Sequence, residues 1–139
     1  MNEADISSLE GKLAMVTGAA GVLGHATART LAADGLTVIM TDVDEPRLRE
    51  YAAAIGTAAV PMKLDVSDPQ AVAATAQRIR SDHGSLDVLV NNAGILSNNK
   101  AAETTPEEWR RLMSINLDGA FYLAREWLGG MTEKGGDSA

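Results

Sequence analysis

The sequence predicts a doubly wound α/β fold built on a parallel sheet. Three observations point to it. Short β-rich runs alternate with longer helical patterns four times, the runs are apolar without strict alternation, and a glycine-rich turn joins the first run to the first helix. Strands covered on both faces lose the in–out alternation of a half-exposed sheet, and right-handed crossovers then place helices on both sides.

Taken in order, residues 1–10 are polar and aperiodic and read as a flexible leader, with one domain over 11–139. "KLAMVT" (12–17) is the first strand, followed by a helix from Val22 to Asp34 and a second strand "LTVIMTD" (36–42). A helix from Glu45 to Ile55, a strand "AAVPMKLD" (58–65) and a helix from Pro69 to Asp82 come next. The fourth unit is "LDVLVN" (86–91) with a long helix from Pro106 to Leu128. Its start is chemically marked: Thr105 as N-cap, Pro106 at the first helical position, and Glu108 three residues on to complete a capping box. Asp68 before Pro69, and an acid among Asp44 and Glu45, cap the two preceding helices in the same way. Trp109, Leu112, Met113, Asn116, Leu117, Ala120, Phe121 and Ala124 recur at three- and four-residue spacing, so the long helix is expected to bury that stripe. Asn116 is its one polar member, and a buried amide needs partners for both donor and acceptor atoms.

Composition excludes several classes. Twelve Lys and Arg stand against nineteen Asp and Glu, a net charge of −7, with no basic run, so nucleic acid and anionic membranes are not expected partners. There are no cysteines, hence no disulfide framework and no Cys-ligated zinc. The start carries no secretory leader pattern and no apolar run is long enough to span a bilayer, so a soluble cytoplasmic protein is expected. His25 and His83 are far apart in sequence and lack a ligand cluster; Asp42, Asp44 and Glu45 are accounted for by a cap and a ligand contact, and no metal is expected.

The turn "VTGAAGVLG" places glycines at 18, 21 and 24. Glycines let the backbone turn tightly and approach a ligand, while free N–H groups and the dipole at the helix start attract phosphate, here a dinucleotide pyrophosphate. Asp42 ends the second strand, where a carboxylate accepts hydrogen bonds from adenosine ribose hydroxyls. It would repel a 2′-phosphate, and neither the loop nor the next two positions supply Arg or Lys, so NAD is favoured over NADP.

"TGAAGVLG" (17–24), "LDVSD" (64–68), "LDVLVNNAG" (86–94) and "SINLDGAF" (114–121) together resemble the compact one-domain branch of the short-chain dehydrogenase/reductase family, over residues 10 to about 136. The resemblance implies a Rossmann-type sheet and hydride transfer between a nicotinamide cofactor and a small alcohol or carbonyl substrate. It places Gly18, Gly21, Leu23 and Gly24 along the pyrophosphate and Asp42 on the ribose. It places Asp65 and Val66 at the adenine, and the turn Asn91, Asn92, Ala93 and Gly94 beside the ribose, bracing the central strands. Asn116 resembles the helix asparagine whose peptide carbonyl holds a water in the family's proton relay. The long helix over 106–128 often packs against another subunit in this family, so a homo-oligomer is expected. One departure stands out: the branch's usual middle glycine is Val22 here, with Gly21 beside it, which puts a β-branched side chain near backbone and phosphate.

The family's remaining chemistry lies in a serine and a Tyr-x-x-x-Lys motif. Neither tyrosine fits, since Tyr51 is followed four residues on by Ile55 and Tyr122 by Glu126. The expectation is therefore the cofactor-binding half of a longer enzyme, with four β-α units present, later strands missing, and "MTEKGGDSA" (131–139) connecting toward a fifth strand. Alone, such a chain is expected to be inactive. The other class of reading is a non-catalytic dinucleotide-binding or dimerisation module on the same fold.

Overall fold

The computed structural model describes residues 9–135. Four strands, β1 (Leu13–Thr17), β2 (Thr37–Asp42), β3 (Ala59–Lys63) and β4 (Val88–Val90), form one sheet in the order β3-β2-β1-β4. Every pairing is parallel, with Leu13 opposite Thr37, Val38 opposite Ala59 and Ala14 opposite Val88. Helices α1 (Val22–Ala33), α2 (Glu45–Ile55) and α3 (Pro69–His83) follow the first three strands. After β4 come a short 3₁₀ turn at Ala101–Glu103, α4 (Pro106–Met113), a π-helical turn at Ser114–Asp118 and α5 (Gly119–Gly135).

Strand residues alternate between two cores, as a pleated sheet covered on both sides requires. Ala14, Val16, Val38 and Met40 pack with Ala28, Leu48 and Ala52 on the α1/α2 side. Leu13, Met15, Ile39 and Met62 pack with Val72, Ile79, Leu123 and Trp127 on the α3/α5 side. The order reverses direction between β1 and β4, the place where open α/β sheets leave a crevice at the strands' carboxyl ends.

The long helix departs from expectation. It continues through Gly135, so residues 131–135 are helical rather than a connection, and the other residues of that predicted connection lie outside the described ones. Its buried side is not the predicted stripe: Trp109, Leu117 and Phe121 are 57–59% exposed and Asn116 is exposed too. Ile115, Gly119, Leu123, Trp127 and Met131 meet the sheet instead, at four-residue spacing. The physical reason is that this helix is apolar on two sides, so periodicity alone does not choose between them. Gly119 does, because a Cβ there would lie 2.7 Å from Val66 Cγ2 and hold the helix off the sheet.

At the other end, the fold takes hold at the last residues of the expected leader. Leu9 packs on the α1/α2 core and Gly11 N–H donates to Gly35 O at 3.0 Å, while residues 1–8 lie outside the described ones. Among the described residues no helix is long and apolar enough to cross a membrane.

Candidate functional site

The site is built where β1 and β4 end. Thr17 closes β1 almost fully buried, and its hydroxyl accepts from Asn92 N–H at 3.1 Å and Ala93 N–H at 2.9 Å while lying 3.4 Å from the Val90 carbonyl oxygen, to which it donates. One side chain thus ties the end of β1 to the turn after β4. Asn92 adds its amide, donating to Thr17 O at 3.0 Å and Gly18 O at 3.3 Å. Asn91 points elsewhere, donating to Ala120 O at 3.4 Å.

The glycine loop rests on this support. Gly18 has φ +64°, a left-handed conformation that favours glycine, and a Cβ there would lie 2.9 Å from Ala93 Cα. Gly24 is buried against the loop itself: a Cβ would lie 2.8 Å from Asn92 Nδ2 and overlap the Gly18 carbonyl oxygen. Gly21 N–H donates to Gly18 O at 3.1 Å, making a tight turn into α1. Val22 and Leu23, at 81% and 75% exposed, point into solvent, so Val22 does not crowd the turn and the Leu23 side chain lies outside the cleft below.

Helix α1 differs from the others at its start. Asp44, Asp68 and Thr105 accept first-turn N–H groups of α2, α3 and α4, whereas Gly21 gives α1 no side-chain cap and no acid stands in its first turn. Its orphan N–H groups and positive dipole end are left for an anion.

Below the loop lies a cleft of about 350 Å³, whose walls include Gly18, Asp42, Asp65, Val66, Ala93 and Gly94. Asp42 braces the loop as well as facing the cleft, accepting from Ala20 N–H and Asp44 N–H, both at 3.0 Å. Each carboxylate oxygen still has a lone pair to offer. Asp65 is exposed and accepts from Ser67 N–H at 3.0 Å and Ser67 Oγ at 2.6 Å. The Val66 side chain is buried against Gly119, leaving its peptide as the part that can meet a ligand. The structure therefore gathers Gly18, Asp42, Asp65, Val66, Ala93 and Gly94 around one space; Gly24, Asn91 and Asn92 support its walls.

Asn116 is held differently from expectation. It is exposed, yet both amide atoms are paired, since Oδ1 accepts from Ile95 N–H and Nδ2 donates to Ile95 O, each at 2.8 Å. It sits in the π-helical turn, where Gly119 N–H reaches back to Ser114 O. The side chain pins the segment after β4, and it faces a second, open groove of about 780 Å³ shared with Leu96, Trp109 and Met113.

The expected capping box is only half formed. Thr105 Oγ1 accepts from Glu108 N–H at 3.2 Å, but the Glu108 carboxylate turns to the loop, accepting from Ser97 Oγ and from Asn99 Nδ2 at 2.9 Å. Hydrogen bonds to an ionised carboxylate are stronger than those between neutral groups, and here the carboxylate takes both loop donors instead of reaching back to Thr105. The Ser97 hydroxyl, followed by the Asn99 amide, holds the Glu108 carboxyl below its ordinary 4.5. A depressed carboxyl pKa means that the grip is complete above the ordinary value and lost as pH falls through the lower folded value. Glu108→Ala is accordingly expected to speed amide exchange over 97–99 at pH 7 by about two- to tenfold, read by hydrogen–deuterium exchange with the sheet amides as the internal control.

Among the described residues, no three His, Asp or Glu side chains are grouped to hold a metal. Sequence reasoning missed Thr17 and the loop-holding role of Glu108. A threonine ending a buried strand beside a glycine turn is the signal that marks the first; nothing in the spacing separates the second from a capping residue.

A family model described as short chain dehydrogenase matches residues 12–138. The chain belongs to the short-chain dehydrogenase family. This short-chain dehydrogenase chain is 36% identical over 127 residues to 3-oxoacyl-(acyl-carrier-protein) reductase FabG of Escherichia coli K12, covering 91% of the chain and 52% of the relative. A crystal structure of a short-chain dehydrogenase from Streptomyces avermitilis superposes with a TM-score of 0.85 at 36% identity, covering 90% of the chain and 47% of that protein. A 3-ketoacyl-(acyl-carrier-protein) reductase from Brucella melitensis, complexed with NADH, superposes at 0.81 with 35% identity, covering 85% and 49%. The short-chain dehydrogenase chain thus spans about half the length of the curated reductase relatives it matches. Its four-stranded parallel sheet with flanking helices is the family's Rossmann-type fold.

Proposed function

We propose that this chain is the cofactor-binding part of an oxidoreductase that moves a hydride between a nicotinamide ring and an alcohol or ketone carbon of a small substrate, with NAD favoured over NADP. The observation that carries the reading is the uncapped start of α1 above a cleft walled by Asp42 and Asp65. A dinucleotide supplies what that arrangement lacks: a pyrophosphate for the free N–H groups, ribose hydroxyls for Asp42 and an exocyclic amine for Asp65. Gly18, Gly21, Leu23 and Gly24 would follow the pyrophosphate through their backbone, and Asn91 to Gly94 would pass the adenosine ribose. The NADH carried by the Brucella relative supports the choice of cofactor class.

When bound, the nicotinamide supplies the hydride acceptor or donor. With its side chain committed to Ile95, Asn116 would serve the proton relay through its peptide group. The exposed Trp109, Leu117, Phe121 and Leu128 on the long helix support association with a second copy, as an apolar face of that size is seldom left to water. A non-catalytic dinucleotide-binding module on the same fold is the second reading.

The discriminating experiment is a titration with NADH and with NADPH, followed by nicotinamide fluorescence. NADH is expected to saturate and to bind at least about tenfold more tightly than NADPH, since one repelled or lost charged contact is worth about 1.4 kcal/mol or more. Asp42→Ala should weaken NADH and narrow that preference. Equal affinity for the two cofactors, or no saturable signal from folded protein, overturns the reading of Asp42.

A further inference from the structure

The cleft holds one feature that the dinucleotide reading has not used. Arg111, on α4, lines it together with Ser114 and Ile115, one helical turn further along the same side. Among the residues lining the cleft Arg111 is the one cation, set against the carboxylates of Asp42 and Asp65. Its guanidinium makes no ion pair, hydrogen bond or ring contact among the described residues. Nearby arginines are engaged: Arg110 pairs with Glu107, and Arg80 lies over the Trp127 ring and bonds Glu126.

Position along the cleft decides what Arg111 would meet. The glycine loop and α1 stand at the end of β1, whereas Asp65, Val66 and Ser67 follow β3, two strands away. Two strand spacings are about 10 Å, enough to separate a phosphate end from a base end. The helix meets the β3 end, because Gly119, two turns beyond Arg111, rests directly on Val66. The cleft also exposes Val43, just after the neighbouring β2, and offers the half-buried Ile115, apolar surface suited to the flat face of a base. A planar, weakly hydrated guanidinium can lie flat on such a face, a stacking geometry that the compact, strongly hydrated lysine ammonium lacks.

We propose that Arg111 lays its guanidinium on the adenine ring of the bound dinucleotide and closes the base end of the cleft. The inference rests on the dinucleotide reading above. It is tested by calorimetric titration of the chain with AMP, ADP and NADH, comparing wild type with Arg111→Lys and Arg111→Ala. Arg111 is exposed, and unchanged far-ultraviolet circular dichroism would verify that both variants fold. Both are expected to lose about fivefold in affinity, by the same factor for all three ligands, the scale of one cation–π stack. Competition by inorganic pyrophosphate should be unchanged. Wild-type affinity in Arg111→Lys, or an equal loss for pyrophosphate, would mean a charge contact and overturns the stacking. Unchanged affinity in both variants, with wild type binding normally, overturns this inference alone. Failure of wild type to bind any adenosine ligand overturns the dinucleotide reading together with it.

Discussion

Trp127→Ala is expected to destabilise the protein by about 3–5 kcal/mol, the cost of emptying a fully buried aromatic site in a packed core. Trp127 is among the largest fully buried side chains, wedged between α5 and the sheet, with the Arg80 guanidinium 4.6 Å above its ring. Its indole N–H is buried without an acceptor, a cost the substitution removes, so the lower end of that range is expected. The measurement is urea unfolding followed by circular dichroism. Trp109→Ala is the internal contrast: Trp109 is 58% exposed, and an exposed residue of this kind should cost less than about 0.5 kcal/mol. Equal losses at the two tryptophans would mean that the long helix buries the other side.

Gly24→Ala should have the largest effect on ligand binding. A methyl group there would overlap the Gly18 carbonyl oxygen and press on the Asn92 amide, neither of which can withdraw without opening the loop. Overpacking of this kind costs about 1–3 kcal/mol of stability. Moving the loop would also take the α1 N–H groups off the phosphate of the proposed dinucleotide, and losing one or two charge-assisted hydrogen bonds corresponds to a fall in NADH affinity on the order of a hundredfold. Gly21→Ala is the comparison, because φ at Gly21 is −83° and a Cβ there would sit 3.3 Å from the nearest atom. A milder loss at Gly21 than at Gly24 is the expected pattern, measured by the same fluorescence titration alongside thermal melts. Wild-type NADH affinity in Gly24→Ala would show that the loop has room the structure denies it.

Much of this fold is legible in the sequence because its strands are buried on both sides. An apolar run such as Leu13–Val16 with a glycine turn behind it has few alternatives, and Asp44, Asp68 and Thr105 announce their helices by local chemistry that tertiary structure has no reason to override. The tight turn at Gly18 and Gly21 is legible for the same reason, since backbone geometry within a few residues sets it, whereas the brace that Asp42 gives the loop spans 22 residues and is not. What was not legible depends on distant partners. Glu108 looks like a capping residue until Ser97 and Asn99 are brought beside it. The buried side of the long helix depends on Val66, which lies more than fifty residues earlier and leaves only Gly119 as a trace. Arg111 carries no motif at all, and its place in the cleft exists only once the fold brings α4 to the same space as Asp65 and Val66.

The Thr17 clasp also bears on the order in which the molecule can be made. Contacts between β1 and β2 join residues about 25 positions apart, as from Thr41 to Val16, whereas docking β4 joins residues 74 apart, as from Leu13 to Asp87. Closing the longer loop costs about 1 kcal/mol more chain entropy, so β4 is expected to dock late. Asn92, on the turn after β4, donates to the carbonyl oxygens of both Thr17 and Gly18 and so ties the loop to that turn. A chain with β1, β2 and α1 already formed would therefore carry the glycine loop without its footing, and the proposed phosphate site would be completed only as β4 docks.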